Sequence, residues 1–355
     1  MADDLTAHSI DDVVRIDQAS GPTAPARSKP VRIEEVARLA AVSPITVSRA
    51  LRNPDLVSEV TRKRILEVVQ ETGYWSNPHA SALRSGRSSI VAVFVSNLQS
   101  QQYTRAAQAC ASVIEANGLQ MMVGQTSYSY SRELTALQSL RALRPAAVFL
   151  TGVIELEENR QMLRDLNIPI VESWAHTRDP IDMLVAFSNV DAGRLAASHL
   201  AERGFRRPAF IGRSGGRGKL RLQGFTERLA QLDLPLAGST VIDWVDSIED
   251  GRIAYRKLQE RGVTFDSVFC ANDLLGMGAL IEAVSQGQSV PGEVGILGFG
   301  DRSEFNSLPP RLSQVTVDTS QIGRQAGAMI LSRLGGEPAQ DRVCLDLSLL
   351  EGATT

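Results

Sequence analysis

From Ser88 onward the chain alternates short apolar runs with amphipathic helical stretches, and this alternation restricts the possible folds more than any other feature. The runs are Ile90 to Val95, Gln120 to Val123, Ala146 to Leu150, Ile168 to Val171, Ala209 to Ile211, Ser267 to Cys270 and Val294 to Phe299. Helical periodicity lies between them, from Tyr103 to Asn117, Ser131 to Leu143, Ala192 to Arg203, Leu222 to Leu232 and Leu274 to Gln286. Continuous apolar strands alternating with helices imply an α/β architecture of doubly wound parallel sheets, covered on both faces. Two such sheets fit in about 250 residues, and ligands of these folds sit beyond the carboxyl ends of the strands.

A chain of 355 residues, 43% apolar, exceeds what one core holds, so a small module beside a two-lobed body is expected. No apolar run reaches the roughly 18 residues needed to span a bilayer, and the opening MADDLTAHSIDD is acidic where a signal peptide is basic and then apolar. The expectation is a cytoplasmic protein with no membrane segment. Cys110, Cys270 and Cys344 are far apart and form no CxxC pair, which fits reduced core thiols and neither a disulfide framework nor a zinc site.

The net charge of -3 is unevenly spread. Residues 1–26 carry one Arg against five Asp, whereas residues 27–87 carry eleven Lys and Arg against six Asp and Glu. A basic block on an acidic chain suits a polyanion, although such a block is also an ordinary solvated surface and needs a motif beside it. Residues 1–30, with Gly21, Pro22, Pro25 and Pro30 among small polar residues, read as a flexible arm.

That motif lies next. Ile33, Val36, Ala37 and Ala40, then Ile45, Val47 and Leu51, then Val60, Ile65 and Val68 recur at helical spacing and predict a three-helix bundle between Val31 and about Thr72. IEEVARLAAVSPITVSRAL packs helix, turn and helix into nineteen residues, with Ser43 as N-cap and Pro44 at the first helical position. The apolar side, Ile45 or Val47 with Ala50 and Leu51, packs on Val36, Ala37 and Ala40. Thr46, Ser48, Arg49 and Arg52 are left outward, a set suited to phosphates and base edges in a major groove. A purely structural helical hairpin would share this pattern.

The stretch from Val31 to Ser88 resembles the head of the LacI/GalR family of transcriptional regulators along its whole length, through EVA, VSPITVSRALRN, VSEVTR and GYWSNPHASALRSG. The resemblance implies a helix-turn-helix DNA-binding domain over 31–76 and a hinge helix over 77–87. Pro44, Ile45 and Arg49 then occupy base-reading positions, with Ser43 in the same group. Asn77, Ala80, Leu83 and Arg84 belong to a hinge that enters the minor groove with Leu83 as wedge. A linker helix with Leu83 packed on the body is the alternative. Two departures stand out: Ala41 replaces the usual turn glycine, tolerable at negative φ, and Arg32 replaces a capping Ser or Thr.

FCANDLLGMGAL, PGEVGILGFGD, LPPRLSQVTVD and RLQGF extend the resemblance to the family's periplasmic-binding-protein-like body, over 88–355. It implies an N-lobe of about 88–187 and 318–340, and a C-lobe of about 188–317 and 341–352. Within the family, YSYSRELTALQSL, IPIVESW, DMLVAFSN and GFGD are most similar to gluconate-type repressors. Positions carried over as effector-binding are Ser96, Trp174, Phe187, Arg217, Arg221, Asn272, Asp273 and Asp318. Gly300 stands where many sugar-binding members have Asp, Arg213 to Arg221 is basic, and a sugar acid therefore fits best, unless Glu172 faces the ligand.

The resemblance implies no catalytic group, metal or cofactor, only a small-molecule effector, and a homodimer on palindromic operator DNA. His8, His79, His176 and His199 are scattered and GRSGGRGK lacks P-loop spacing, against a sugar kinase or epimerase fused to a DNA-binding head. A transport binding protein would share the body but would carry a signal peptide and no helix-turn-helix.

Overall fold

The computed structural model describes residues 31–74, 88–126, 130–301, 309–338 and 340–355. They form two compact units, divided at Asn77.

In the first unit, α1 (Ile33–Leu39), α2 (Pro44–Arg52) and α3 (Glu59–Thr72) enclose a small core of Val36, Ala37, Ala40, Val47, Ala50, Ile65 and Val68. Val47 and Ala50 turn inward, so the choice between Ile45 and Val47 falls to Val47. Gly73 ends α3 in the left-handed conformation, φ 61°, where its missing Cβ removes the steric penalty.

The second unit contains two six-stranded sheets. Its elements in order are β1 (Ile90–Val95), α4 (Gln101–Glu115), β2 (Gln120–Gln125), α5 (Tyr130–Leu143), β3 (Ala147–Leu150), α6 (Glu157–Arg164), β4 (Ile170–Ser173), β5 (Met183–Ala186), α7 (Asn189–Glu202) and β6 (Pro208–Arg213). There follow α8 (Gly216–Gln231), β7 (Gly238–Ile242), α9 (Ile248–Glu260), β8 (Ser267–Cys270), α10 (Asp273–Ser285), β9 (Gly295–Gly300), β10 (Ser313–Thr316), α11 (Thr319–Gly335), β11 (Arg342–Cys344) and β12 (Ser348–Leu350). The first sheet runs β11-β5-β4-β3-β1-β2, and the second β12-β10-β9-β8-β6-β7. All pairings are parallel except β10 with β12.

Strand β1 shows why its run is apolar throughout. Val91, Val93 and Val95 join the core containing Cys110 and Ile114 of α4 and Ile322 and Ala326 of α11, while Ala92 and Phe94 meet Leu137 and Leu140 of α5 on the other face. In the second lobe Phe210 packs with Phe225 and Phe269, ring centroids 5.3 to 6.0 Å apart, and Ile211 faces Ala254 and Leu275.

The chain passes from the first lobe to the second after β5 and returns before α11. The third crossing differs from expectation. Because β11 pairs with β5, residues 341–344 belong to the N-lobe sheet, and only β12 joins the C-lobe. Strands β5, β7 and β10 also lie outside the apolar runs named from the sequence. No helix among the described residues is long and apolar enough to cross a membrane.

Candidate functional site

On the first unit, the side chain of Ser43 accepts a hydrogen bond from the Thr46 amide (3.2 Å) and shares another with the Thr46 hydroxyl (2.8 Å). A cap of this kind contributes about 1 kcal/mol. Pro44 occupies the first turn, where no amide hydrogen is required. With Val47 and Ala50 buried, Ser43, Pro44, Ile45 and Arg49 lie exposed, Ile45 at 64%, and Thr46 and Ser48 are half-buried. Arg52 closes the helix. The outward face thus offers apolar surface for a thymine methyl beside a guanidinium able to read guanine.

Two local predictions meet different outcomes. Arg32 caps α1 without a side-chain bond, as its chemistry requires. Ala41, tolerable in this turn at negative φ, sits at +48°, a conformation that crowds its Cβ. Asn77, Ala80, Leu83 and Arg84 lie outside the described residues.

Between the lobes of the second unit is a cleft of about 800 Å³, built from loops at strand carboxyl ends. Ser96 follows β1, Thr151 to Glu155 follow β3, and Ala175 to Thr177 follow β4; Arg213 to Leu220 and Asp243 to Trp244 face them from the C-lobe. Arg217 reaches across, Nη1 donating to the Thr151 carbonyl (3.1 Å) and Nη2 to Ser96 Oγ (3.2 Å), with its guanidinium 5.5 Å from the Tyr103 ring centre. Arg213 donates to the Asp243 carbonyl, and Ser214 to the Asp243 carboxylate (2.6 Å). Lys219 is exposed, and Trp244 shows 54% of its surface.

The N-lobe wall carries Glu133 and Glu155. Burial pushes the Glu133 carboxyl above its usual range, a hydrogen bond from Asn159 opposes this, and Glu155 and Glu172 add to the rise. Basic side chains, acidic side chains and an indole therefore share one cavity. They suit a polyhydroxylated anion with an apolar face.

Beside the cleft lies a buried polar cluster. Trp174 is fully buried at φ +67°, a strained conformation for a bulky residue that its surroundings hold in place. Its ring lies 4.9 Å from Tyr103, its Nε1 donates to Gln102 Oε1 (3.1 Å), and its carbonyl accepts from Asn189 (2.8 Å). Arg221 donates to Asn189 Oδ1 (2.9 Å) and the Ala271 carbonyl (2.6 Å), with its guanidinium 3.4 Å from the centre of the Phe299 ring. Phe187 packs on Phe299 at 5.8 Å. The close approach of α7 and α8 that places Arg221 needs Gly193, since a Cβ there would collide with the Arg221 carbonyl.

Asn272 caps α10 through the Leu274 and Leu275 amides, and Asp273 begins that helix. Burial pushes the Asp273 carboxyl up, while Ser100, the Leu274 amide and Gln102 pull it back. Glu172 does not face the cavity: fully buried, it accepts from the Ile154 (2.8 Å) and Ile181 (2.7 Å) amides and so fixes the loop carrying Glu155. Burial is the chief cause of its raised pKa, and the two amides oppose it.

Thus Ser96 and Arg217 line the open cleft, whereas Trp174, Phe187, Arg221, Asn272 and Asp273 gather in the cluster beside it. Asp318 belongs to neither. It is exposed, caps α11 by accepting from the Gln321 amide (2.7 Å) and pairs with Arg324 (3.3 Å). Gly300 also departs from expectation, because a Cβ there would stand 3.0 Å from the Asp273 Cβ and not in the cleft. Sequence reasoning missed Trp244, Glu133 and Glu155. Trp244 comes two residues after β7, so recognising GSTVI as a strand would have pointed to it.

Among the described residues, no group of three or more His, Cys, Asp or Glu is arranged to hold a metal ion. Residues 32–77 match the lacI family of bacterial regulatory proteins, and residues 197–355 a periplasmic binding protein-like domain. The chain is 34% identical to the HTH-type transcriptional regulator GntR of Pseudomonas aeruginosa over 311 residues, covering 87% of this chain and 91% of that one. It is 29% identical to GntR of Escherichia coli K12 over 323 residues, covering 90% and 96%. A LacI family transcriptional regulator from Silicibacter pomeroyi superposes with a TM-score of 0.82 at 31% identity, covering 92% of this chain and 99% of that one.

Proposed function

The chain belongs to the lacI family of bacterial regulatory proteins, which act by binding and not by catalysis, and we propose that its effector is a sugar acid of the gluconate type. As a member it is a DNA-binding transcriptional regulator with an effector-binding domain. On our reading it is a cytoplasmic repressor that binds a palindromic operator as a homodimer, one head per half-site, with Ser43, Pro44, Ile45, Thr46, Ser48, Arg49 and Arg52 on the DNA. The hinge residues Asn77, Ala80, Leu83 and Arg84 complete that surface in the minor groove.

The observation that carries the effector assignment is the cleft wall of Arg213, Arg217 and Lys219. A carboxylate docked there makes charge-assisted hydrogen bonds, and its hydroxyls find Ser96, Thr151 and the N-lobe carboxylates. Trp244 offers its face to the carbon chain. Trp174, Phe187, Arg221, Asn272 and Asp273 act as the supporting layer. The similarity to regulators named GntR accompanies this reading.

Titration calorimetry on the full chain tests it. Gluconate-like acids should bind about tenfold tighter than the matching neutral sugars, and Lys219→Gln should remove most of that margin, as expected for a charge-assisted bond of roughly 1.5–3 kcal/mol. A wild-type preference for neutral sugars would overturn the acid assignment.

A further inference from the structure

Ser100 stands at the N-cap of α4, yet its side chain makes no bond to its own helix. The hydroxyl instead crosses to the other lobe, donating to both carboxylate oxygens of Asp273 at 3.0 and 2.8 Å. Gln102 Nε2, from the second residue of α4, donates to the same carboxylate at 3.2 Å, while its Oε1 is held by Trp174. Asp273 is the first residue of α10, and the Leu274 amide donates to it at 3.0 Å. One carboxylate is therefore shared between the positive ends of two helices, one from each lobe.

Other features concentrate on this point. Asp273 occupies the space beside Gly300 that a side chain there would need, and the Oε1 of Gln314, buried and without a hydrogen-bond partner among the described residues, lies 3.6 Å from the same Cβ position. A second carboxylate of the C-lobe, Asp301, meets Arg105 (3.9 Å) and Thr319 of the N-lobe. Other bonds between the lobes run to backbone carbonyls or line the cleft, among them Asn97 to the Val245 carbonyl (2.9 Å), Asn189 to the Trp174 carbonyl (2.8 Å) and Arg217 to the Thr151 carbonyl (3.1 Å).

We propose that Ser100, Gln102 and Asp273 form an interlobe latch that holds the two lobes together, and that the small residue at position 300 is required to seat it. This goes beyond the sugar-acid reading and is tested without any ligand.

Amide hydrogen exchange of the full-length, effector-free protein reads the latch directly. Ser100→Ala removes the bifurcated hydrogen bond that its hydroxyl donates to the carboxylate and should raise exchange at the first turns of α4 and α10 by about tenfold, with the sheet amides of both lobes unchanged. Gly300→Ala leaves every latch donor in place but crowds Asp273, and should produce the same local pattern in weaker form. Exchange within twofold of wild type at those turns in both variants would overturn the proposal. So would an increase spread evenly through the C-lobe sheet, which would mark general destabilisation. Failure of sugar acids to bind in calorimetry, by contrast, would leave this outcome untouched.

Discussion

Replacing Ala41 with glycine should stabilise the DNA-binding head. The turn between α1 and α2 holds Ala41 at φ +48°, where the Cβ of an L-residue crowds the following carbonyl at a cost of about 1–2 kcal/mol. Glycine removes that cost but loses more conformational freedom on folding, about 0.4–1 kcal/mol. The side chain is exposed, so no packing is lost. The balance is a gain of about 0.5–1 kcal/mol, a two- to fivefold slowing of exchange for the most protected amides of α1 and α2. Exchange in the full chain measures this in the intact protein, and Ala41→Val should shift it the other way. Unchanged or faster exchange in Ala41→Gly would mean that the turn is not strained or that chain entropy dominates.

Arg49→Ala should weaken binding to a cognate operator by about 1–3 kcal/mol and relax specificity at one base position, read by fluorescence anisotropy across single-base variants. Equal losses at every sequence would demote Arg49 to a phosphate contact. Asp273→Asn should be less damaging at pH 7.5 than near pH 4 in thermal unfolding. Burial raises the folded pKa above the ordinary 3.8, so the folded state binds the extra proton, and the wild type loses stability as pH rises through the raised value. The Asn variant lacks that loss; a pH-independent difference between the two proteins would refute the sign.

How much of this was legible in the sequence depended on whether a residue's role is local. Ser43 and Pro44 announce a helix start wherever they stand, because capping needs only the next three residues, and the structure bears both out. The apolar runs of β1, β3 and β8 are legible for a similar reason: burial on both faces leaves no polar position to confuse the period. Strand β7 sits at a sheet edge with mixed exposure and begins with glycine, so periodicity alone assigns it poorly. The positive φ of Ala41 was not legible because it depends on the angle between two packed helices, which no residue type declares.

The site was legible by kind more than by contact. Arg221 and Asn272 were identifiable as special, and both are buried with their polar groups satisfied, but by Asn189, Ala271 and the first turn of α10. Those partners are 32, 50 and 2 residues distant, and only the last could be anticipated from spacing. Asp318 failed for the opposite reason: its local signal was a helix cap, and the cap is its observed role. Glu172 and Asp273 carry the sharper lesson. Each is an acid at or just beyond a strand end, where a ligand contact is the first reading. Each instead has its carboxylate consumed by protein donors, Glu172 by two loop amides within one lobe and Asp273 by a hydroxyl and an amide of the other. A carboxylate's chemistry sets what it accepts, but the fold decides whether the donor belongs to the protein or to the ligand, and here position 300 makes that decision by leaving Asp273 room.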